Sequence, residues 1–272
     1  MSVRLRATPV FLAVWLCTSS CERVGAPSSA PTASAPSTTL TVAAAADLTF
    51  AFDELTSAFR RQQPDIDLRV TFGSSGNFYA QIVNQAPFEV FLSADREYPR
   101  RLVADGLADA GSEFFYAIGR LVVWARTAAA DDAMTDLGEF LRQTTAPRIA
   151  LANPAHAPYG RAAEHTLKHF ASYERLRERL VFGDNVAQTA HFAESGAADL
   201  AFIARSLAVA PALQSRGRYW DVPAEAHPPL EQTGVILKGT RRPEAAARLR
   251  DFILSAEGRT ILQRFGFDPP SE

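Results

Sequence analysis

The chain has 272 residues, of which 47% are hydrophobic, and its 28 Lys and Arg against 30 Asp and Glu give a formal net charge of −2 at pH 7. This length accommodates two lobes at roughly 100–200 residues per domain. The near-neutral charge gives no indication of a nucleic-acid partner and argues against a polybasic membrane-binding patch.

Residues 1–21 have the pattern of a signal peptide: two arginines precede the apolar residues 9–17, and small polar residues follow. The apolar stretch has roughly half of the ~20 residues that a transmembrane helix needs, and no later segment is long and uncharged enough, so we expect a soluble exported protein. Cys21 lies where a bacterial lipoprotein cysteine would lie, although Thr18 replaces the usual Leu three positions earlier. Two interpretations stay open: Cys21 is a lipid anchor, or cleavage nearby leaves none.

Residues 22–39 are predicted to form a flexible linker. They are rich in Ser, Pro, Ala and Thr and contain no large apolar residue after Val24, so they cannot bury enough surface to fold. The other cysteine, Cys17, lies inside the signal peptide. The exported domain therefore has no cysteine pair for an internal disulfide, and its fold depends on its core alone.

Apolar, β-branched runs then alternate with amphipathic helical stretches. The first group is a strand at 39–43, a helix at 48–62, a strand at 66–72, a helix at 78–84 and a strand at 90–93. This order predicts a β-α-β-α-β unit with a parallel sheet. The first helix has one apolar stripe at helical spacing, which is expected to face that sheet; it consists of Leu48, Phe52, Leu55 and Phe59.

The middle of the chain repeats this alternation and predicts a second α/β lobe. Its strands are expected at 120–125, 148–152, 180–182 and 200–203, and its helices at 161–170 and 186–194. One more strand at 233–237 and two helices at 244–254 and 257–265 complete the predicted elements.

Ligands of open parallel sheets bind beyond the carboxyl ends of the strands, where the free N–H groups of helix N-termini attract anions. The candidate loops are 43–49, 72–77, 182–188 and 153–161. The sequence Gly-Ser-Ser-Gly at 73–76 offers two hydroxyl groups and backbone N–H groups to a phosphate-like ion. The alternative for this segment alone is a helix N-cap in a tight turn.

These segments together resemble, in order, the periplasmic molybdate-binding proteins of ABC transporters, from Leu40 to Phe267. The resemblance rests on TVAAAADL at 41–48, FGSSG at 72–76, QAP at 85–87 with VFLSAD at 90–95, NPAHAPYG at 153–160, DNV at 184–186 and RFGF at 264–267. No single motif is decisive, whereas the ordered set is specific.

The resemblance implies an α/β fold of the two-lobed type II periplasmic binding protein kind, in which each lobe is a mostly parallel sheet flanked by helices. Lobe I would comprise residues 40–119 and 229–272, and lobe II residues 120–228, with the ligand in the cleft. The expected function is capture of molybdate or tungstate in the periplasm by a monomer that docks on the membrane permease of an ABC importer. The resemblance implies no enzyme activity, no cofactor and no metal ion bound directly by side chains.

The family's binding residues carry over position by position. Ser75 matches a serine that donates through its hydroxyl and its backbone N–H, and Val186 matches a backbone donor at a helix start. Tyr159 lies in the loop that supplies a further backbone donor, sometimes with a tyrosine hydroxyl. Further candidates for contact with the anion are Ala46, Leu48, Ser74 and Arg161.

Two positions depart from the family pattern: Asp47 stands where many members have a serine, and Ala204 where some have a tyrosine. An ionised Asp47 about 4 Å from a dianion would be repelled by roughly 8 kcal/mol at an effective dielectric constant of 20. We therefore expect its carboxylate to point away and to cap the helix at Leu48, while the backbone N–H of Asp47 or Leu48 faces the anion. A protonated Asp47 that donates to the ligand, and a site for another ligand, stay open.

Other functions and sites are alternatives to the capture of molybdate or tungstate. A protein of the same fold for sulfate, phosphate or a small organic acid has the same architecture. A hydrolase using Ser74 or Ser75 would need a base within hydrogen-bond reach. His165 and His169 have the spacing of a metal site but lack its glutamate, which favours a solvated helix face. His156 is interpreted as a loop residue and Asp95 as a structural one.

Overall fold

The computed structural model describes residues 38–126 and 136–270. The predicted signal peptide, with Cys21, and residues 22–37 of the predicted linker lie outside the described residues. Thr38, which we assigned to the linker, is instead the first residue of a strand, and Thr39, which we placed both at the end of the linker and at the start of a strand, is its second. This boundary was wrong because β-branched threonines pair as readily in a strand as they occur in a linker. No helix among the described residues is long and apolar enough to cross a membrane.

The first sheet has the strand order β2-β1-β3-β10-β4. Its elements are β1 (Thr38–Ala45), α1 (Thr49–Gln62), β2 (Ile66–Gly73), α2 (Ser75–Val83), β3 (Val90–Ser93), α3 (Glu97–Ala104), β4 (Phe114–Gly119) and β10 (Leu230–Ile236), followed by α10 (Pro243–Leu254) and α11 (Ala256–Arg264). Strands β1, β2 and β3 are parallel, as predicted, whereas β10 is antiparallel to both β3 and β4. We call the unit built on this sheet lobe I.

The second sheet has the order β7-β6-β8-β5-β9. Its elements are β5 (Leu121–Arg126), α4 (Leu137–Gln143), β6 (Ile149–Ala152), α5 (Pro158–His169), α6 (Tyr173–Leu176), β7 (Leu180–Gly183), α7 (Val186–Ser195), β8 (Leu200–Ala204), α8 (Arg205–Ala208), α9 (Pro211–Gln214) and β9 (Gly217–Asp221). Strands β6, β7 and β8 are parallel and β5 is antiparallel to β8 and β9. We call the unit built on this sheet lobe II.

The chain passes between the two sheets twice, at Arg120 and between Asp221 and Leu230. Arg120 forms an ion pair with Asp268, close to the point where the backbone of Asp268 bridges to Ile118. The two crossings place the carboxyl ends of β1 and β2 opposite the loops of lobe II. The cleft between the two sheets is therefore bordered by the loops that the sequence predicted as candidates for ligand binding.

The core of lobe I lies on both faces of its sheet. The predicted stripe of α1 is confirmed, because Leu48, Phe52, Leu55 and Phe59 are all about 1% exposed. Phe59 packs edge-on against Phe252 of α10, with their ring centroids 5.5 Å apart. The core of lobe II surrounds Trp124, whose indole N–H donates to the backbone oxygen of Leu213.

Several elements differ from the sequence prediction. The elements that were not predicted are α3, α4, α6, α8, α9, β4 and β9, and the predicted α2 and α5 each began three residues late. Both helices begin with polar, proline or glycine residues that lie ahead of the first apolar repeat. Apolar periodicity reports the buried turns of a helix, so it misses the turn that carries the helix start.

We expect Phe52→Ala to lower the free energy of unfolding by about 3–5 kcal/mol, because it removes a buried aromatic ring from the contact between α1 and the sheet. Asp53→Ala, one position along on the exposed face of the same helix, is the matched control and should change it by less than about 0.5 kcal/mol. Equilibrium urea unfolding of both variants measures the difference. Equal effects would contradict the orientation of α1.

Candidate anion-binding site

Four segment starts meet at one small cavity between the lobes. They are the 3-10 turn at Ala46–Leu48 after β1, and the N-termini of α2, α5 and α7. The cavity has a volume of about 10 Å³ and is lined by Ala45, Ala46, Asp47, Gly73, Ser74, Ser75, Ala94, Ala157, Pro158, Tyr159, Asn185 and Val186. Lobe I and lobe II both contribute to its wall.

Helix geometry makes this cavity suitable for an anion. The first N–H groups of a helix have no partner within the helix, and the helix dipole adds a partial positive charge at the same end. Three such ends, from helices of 9, 12 and 10 residues, point at one space here. A negatively charged group of atoms with several acceptor oxygens fits such a site.

Ser75 contributes a hydroxyl group to the cavity wall. The residue is fully buried, and its Oγ accepts a hydrogen bond of 3.0 Å from the backbone N–H of Ala94, which also lines the cavity. Because this bond occupies an acceptor position of the hydroxyl, its hydrogen remains available for donation. Ser75 is also the first residue of α2, so its backbone N–H has no partner within the helix.

Asn185 prepares the start of α7. Its side-chain oxygen accepts hydrogen bonds of 3.0 Å from the N–H groups of both Ala187 and Gln188. This N-cap satisfies the second and third N–H groups of the helix. The first N–H group, that of Val186, is not capped and lies at the cavity wall. Val186 was predicted from the sequence to belong to the site, whereas Asn185 was not, although Asn before a helix is a recognisable capping signal.

Ser74 and Gly76 connect the two lobes at His156. The Oγ of Ser74 and the Nδ1 of His156 lie 2.9 Å apart and share a hydrogen bond, and the N–H of Gly76 donates to the backbone oxygen of His156 at 2.9 Å. A Cβ at Gly76 would lie 2.6 Å from that same oxygen, so the lobes approach this closely only at a glycine. Ser74 thus has a base within hydrogen-bond reach, the feature required for the hydrolase alternative, but it also caps α2 by accepting from Asn77.

Arg161 lies outside this cavity. It pairs with the Asp95 carboxylate across the lobes and donates to the Tyr98 hydroxyl at 3.2 Å. It lines a separate, wider pocket of about 360 Å³ together with His165 and Glu231. Arg161 therefore belongs with the contacts that hold the lobes together, as does Asp95.

Asp47 occupies the most unusual environment in the wall. It is fully buried, and neither carboxylate oxygen has a hydrogen-bond partner among the described residues. The expected capping role is wrong: no side chain caps α1, whose N-cap is Leu48. The 3-10 turn inserted before α1 is the physical reason, because it takes Asp47 away from the first turn of the helix. The backbone oxygen of Asp47 accepts from Ser206 of lobe II at 2.7 Å.

Two further buried polar atoms lie beside this carboxylate. The Tyr159 hydroxyl and the Gln232 amide nitrogen both have no partner among the described residues, and both approach Gly119 so closely that a Cβ there would overlap with them. Tyr116 completes the group by donating to the side-chain oxygen of Gln232 at 3.3 Å. We call Asp47, Tyr116, Tyr159 and Gln232 the hinge cluster, since Gly119 and Gln232 flank the two crossings between the sheets.

The hinge cluster changes how Asp47 ionises. Burial raises the pKa of Asp47 to about 7, and nearby Tyr159, Gln232 and the backbone N–H groups of Asp47 and Leu48 offset this effect only in part. Burial likewise raises the pKa of Tyr159 well above its usual value, with a further increase from the charge of Asp47. Tyr116 follows the same trend for the same two reasons. A carboxyl group without strong donors in a dry site behaves in this way.

The structure therefore brings together six of the predicted site residues: Ala46, Asp47, Ser74, Ser75, Tyr159 and Val186. Leu48 and Arg161 do not line the cavity. Ala204 is buried at the end of β8. His165 and His169 are both exposed on α5, which agrees with a solvated helix face. Gln232 and Gly119 were missed, because nothing local in the sequence relates them to a loop more than 70 residues away.

Replacing Asp47 by Asn should stabilise the protein at alkaline pH. The folded-state pKa of about 7 lies above the ordinary value of 3.8. Folding therefore favours the protonated carboxyl, and its contribution to stability is complete below pH ~4 and is lost as the pH rises through ~7. The stability of Asp47→Asn relative to the native chain should increase by about 4 kcal/mol from pH ~4 to pH ~8, at about 1.4 kcal/mol for each pKa unit.

Urea unfolding at several pH values measures this difference, and Asp53→Asn on the exposed face of α1 is the control that should show no such trend. A difference between Asp47→Asn and the native chain that stays constant with pH would show that the Asp47 carboxyl titrates normally.

The chain is similar in sequence and structure to known solute-binding proteins. The family described as bacterial extracellular solute-binding protein matches residues 40–268. The chain is 38% identical over 196 residues to the molybdate-binding protein ModA of Rhodobacter capsulatus, which covers 72% of this chain and 75% of that protein. It is 34% identical over 226 residues to ModA of Azotobacter vinelandii, covering 83% and 88%. The solved structure of the Azotobacter vinelandii periplasmic molybdate-binding protein matches with a TM-score of 0.79, at 34% identity, over 85% of this chain and 100% of that one.

These similarities confirm the two-lobed α/β fold and the role of a binding protein rather than an enzyme. They set aside the hydrolase alternative, so the bond between Ser74 and His156 is a contact between lobes. The match of the family to residues 40–268 also covers every segment that lines the cavity. This chain belongs to the bacterial extracellular solute-binding protein family.

Proposed function

We propose that this protein captures molybdate or tungstate outside the cytoplasm and delivers it to the membrane permease of an ABC importer. The observation that carries the proposal is the convergence of helix starts from both lobes on one cavity that has hydroxyl and backbone N–H donors. The described residues that line it include no Lys, Arg or His. A doubly charged oxyanion held by neutral donors is bound through its acceptor oxygens, and this arrangement favours such an ion over a neutral solute.

The relatives support the choice of ligand. Both curated relatives and the solved structure carry molybdate binding in their names, at 34–38% identity. In this chain, Ser75 donates through its hydroxyl, and the backbone N–H groups of Ser75 and Val186 donate from facing lobes. Tyr159 adds a backbone donor from the start of α5, and the backbone at Ala46 and Asp47 adds another from lobe I.

Closure of the lobes completes the site. In the closed form, lobe I and lobe II touch through Gly76 and His156, through Arg161 and Asp95, and through Ser206 and the backbone of Asp47. The cavity of about 10 Å³ is the size of about one water molecule, so the lobes lie closer together here than they would around a bound tetrahedral oxyanion. A tetrahedral oxyanion enters when the lobes part, and its oxygens then bridge donors that lie on both sides. The ion adds its own hydrogen bonds to the contacts that favour closure.

We infer where the protein is located from the pattern of its N-terminal residues. We propose that residues 1–21 are a signal peptide and residues 22–37 a linker. The exported chain is then a monomeric binding protein, which is either free in the periplasm or anchored by a lipid on Cys21. Lobe I then comprises the folded part up to residue 119 and from residue 229 onward, and lobe II comprises residues 120–228. Mass spectrometry of the exported protein distinguishes a lipid-bearing Cys21 from a simple cleaved N-terminus.

Calorimetric titration of the exported protein, stripped of ligand, tests the choice of anion. Molybdate, tungstate, sulfate and phosphate are titrated in parallel. We expect one-to-one binding of molybdate or tungstate, with sulfate and phosphate at least 100-fold weaker. Binding of sulfate or phosphate alone would assign the same fold to a different anion, and no heat with any of the four would contradict oxyanion capture.

Val186→Pro should weaken the binding of molybdate by roughly 10- to 100-fold. Proline at the first position of a helix removes one N–H group and keeps the helix, and Asn185 before it already has the extended backbone that a residue before proline adopts. Loss of one hydrogen bond to a charged group corresponds to about 1.5–3 kcal/mol. The measurement is the dissociation constant by calorimetry.

Val186→Ala is the matched control, because it shortens the same side chain and retains the N–H group. Equal affinities of the Pro and Ala variants would show that the backbone of Val186 does not hold the anion. Urea unfolding of both variants without ligand identifies any loss of affinity that comes from loss of the fold.

A further inference from the structure

Asp47 places a buried carboxyl group in the wall of a cavity built for anions, and the proposed function does not use this side chain. The residue is 0% exposed, and both of its oxygens lack hydrogen-bond partners among the described residues. The Tyr159 hydroxyl and the Gln232 amide face it as donors, and they offset the effect of burial on its pKa only in part. An ionised carboxylate in such a dry site is costly, so its presence beside this cavity requires a physical explanation.

The charge of Asp47 opposes the proposed ligand. An ionised carboxylate about 4 Å from a dianion would weaken binding by roughly 8 kcal/mol at an effective dielectric constant of 20. A protonated carboxyl group carries no charge, and its O–H becomes a donor in a cluster where the Tyr159 oxygen accepts. The anion therefore favours the protonated form of Asp47, and binding and protonation assist each other by linkage.

We propose that Asp47 is a specificity-determining residue that takes up one proton from solvent when the anion binds, so that this site captures its ligand as a dianion together with a proton. The inference rests on the proposed function. A serine at this position carries no charge at any pH, whereas Asp47 is uncharged only when protonated. The affinity of the site consequently depends on pH, and the dependence comes from the protein rather than from the ligand.

The groups that face Asp47 leave it as the one that titrates. Tyr159 of α5 and Tyr116 of β4 are phenols whose pKa values are raised by burial, so both stay neutral through neutral pH. Gln232 of β10 does not titrate. Arg205 of α8 is the cation whose charge reaches the cluster, through Tyr159, and its guanidinium is paired with Asp221 at 2.6 Å. Ser206 of α8 contacts only the backbone of Asp47.

The direction of the pH dependence follows from the pKa of Asp47, which burial raises to about 7 and which the charge of a bound dianion raises further. Below about pH 7 the carboxyl is protonated in both states, so affinity does not change with pH through Asp47. Above this pH the free protein is ionised and the complex is not. Affinity then falls by up to about tenfold for each pH unit, until the pKa of the complex is reached.

Calorimetric titration of the exported protein with molybdate, in buffers of different ionisation enthalpy, counts the protons taken up. We expect close to one proton for each anion at pH ~8 and a smaller uptake at pH ~6, because the carboxyl of the free protein is more fully ionised at the higher pH. Asp47→Asn should show no proton uptake at pH ~8 and a dissociation constant that no longer rises with pH.

His156→Gln is the control for the other titratable side chain at the contact between the lobes, and it should retain the proton uptake of the native chain. Binding without proton uptake at pH ~8, or equal uptake by the native chain and Asp47→Asn, would overturn the inference and leave the proposed function intact. Absence of molybdate binding at both pH values would instead contradict the proposed function.

Discussion

The binding site depends above all on the free N–H groups at the starts of helices α2, α5 and α7. Each group lacks a partner within its helix, and the two sheets bring them to one cavity from both lobes. Asn185 and Ser74 satisfy neighbouring N–H groups through their side chains, which leaves the first ones for the ligand. The lobes, the crossings and the glycine contacts hold these donors in register with one another.

The hinge cluster lies where the site adjoins the segments that join the lobes. Asp47 follows β1 of lobe I, Tyr159 starts α5 of lobe II, and Gln232 lies on the strand by which the chain returns to lobe I. Their polar atoms meet at Gly119, next to the first crossing. The Asp47 carboxyl is therefore surrounded by side chains from both lobes, so its surroundings depend on how the two lobes meet.

The sequence predicts the parts of this protein that follow from local pattern. The stripe of α1 and the parallel order of β1, β2 and β3 come from apolar periodicity, and the loops after β1 and β2 come from their place at strand ends. The capping role of Asp47 was predicted wrongly because a 3-10 turn, which the pattern does not reveal, precedes α1. The contacts of Asp47 with Tyr159 and Gln232 were beyond prediction, since they join residues 112 and 185 positions apart in the chain.

The most direct test of the central claim is a crystal structure of the exported protein with molybdate, using the anomalous scattering of molybdenum to locate the ion. We expect one strong peak between the lobes, with the anion's oxygens within hydrogen-bond distance of the Ser75 hydroxyl and of the N–H groups of Ser75 and Val186. A peak in the wider pocket at Arg161, or a peak on the surface with the small cavity unchanged, would contradict it.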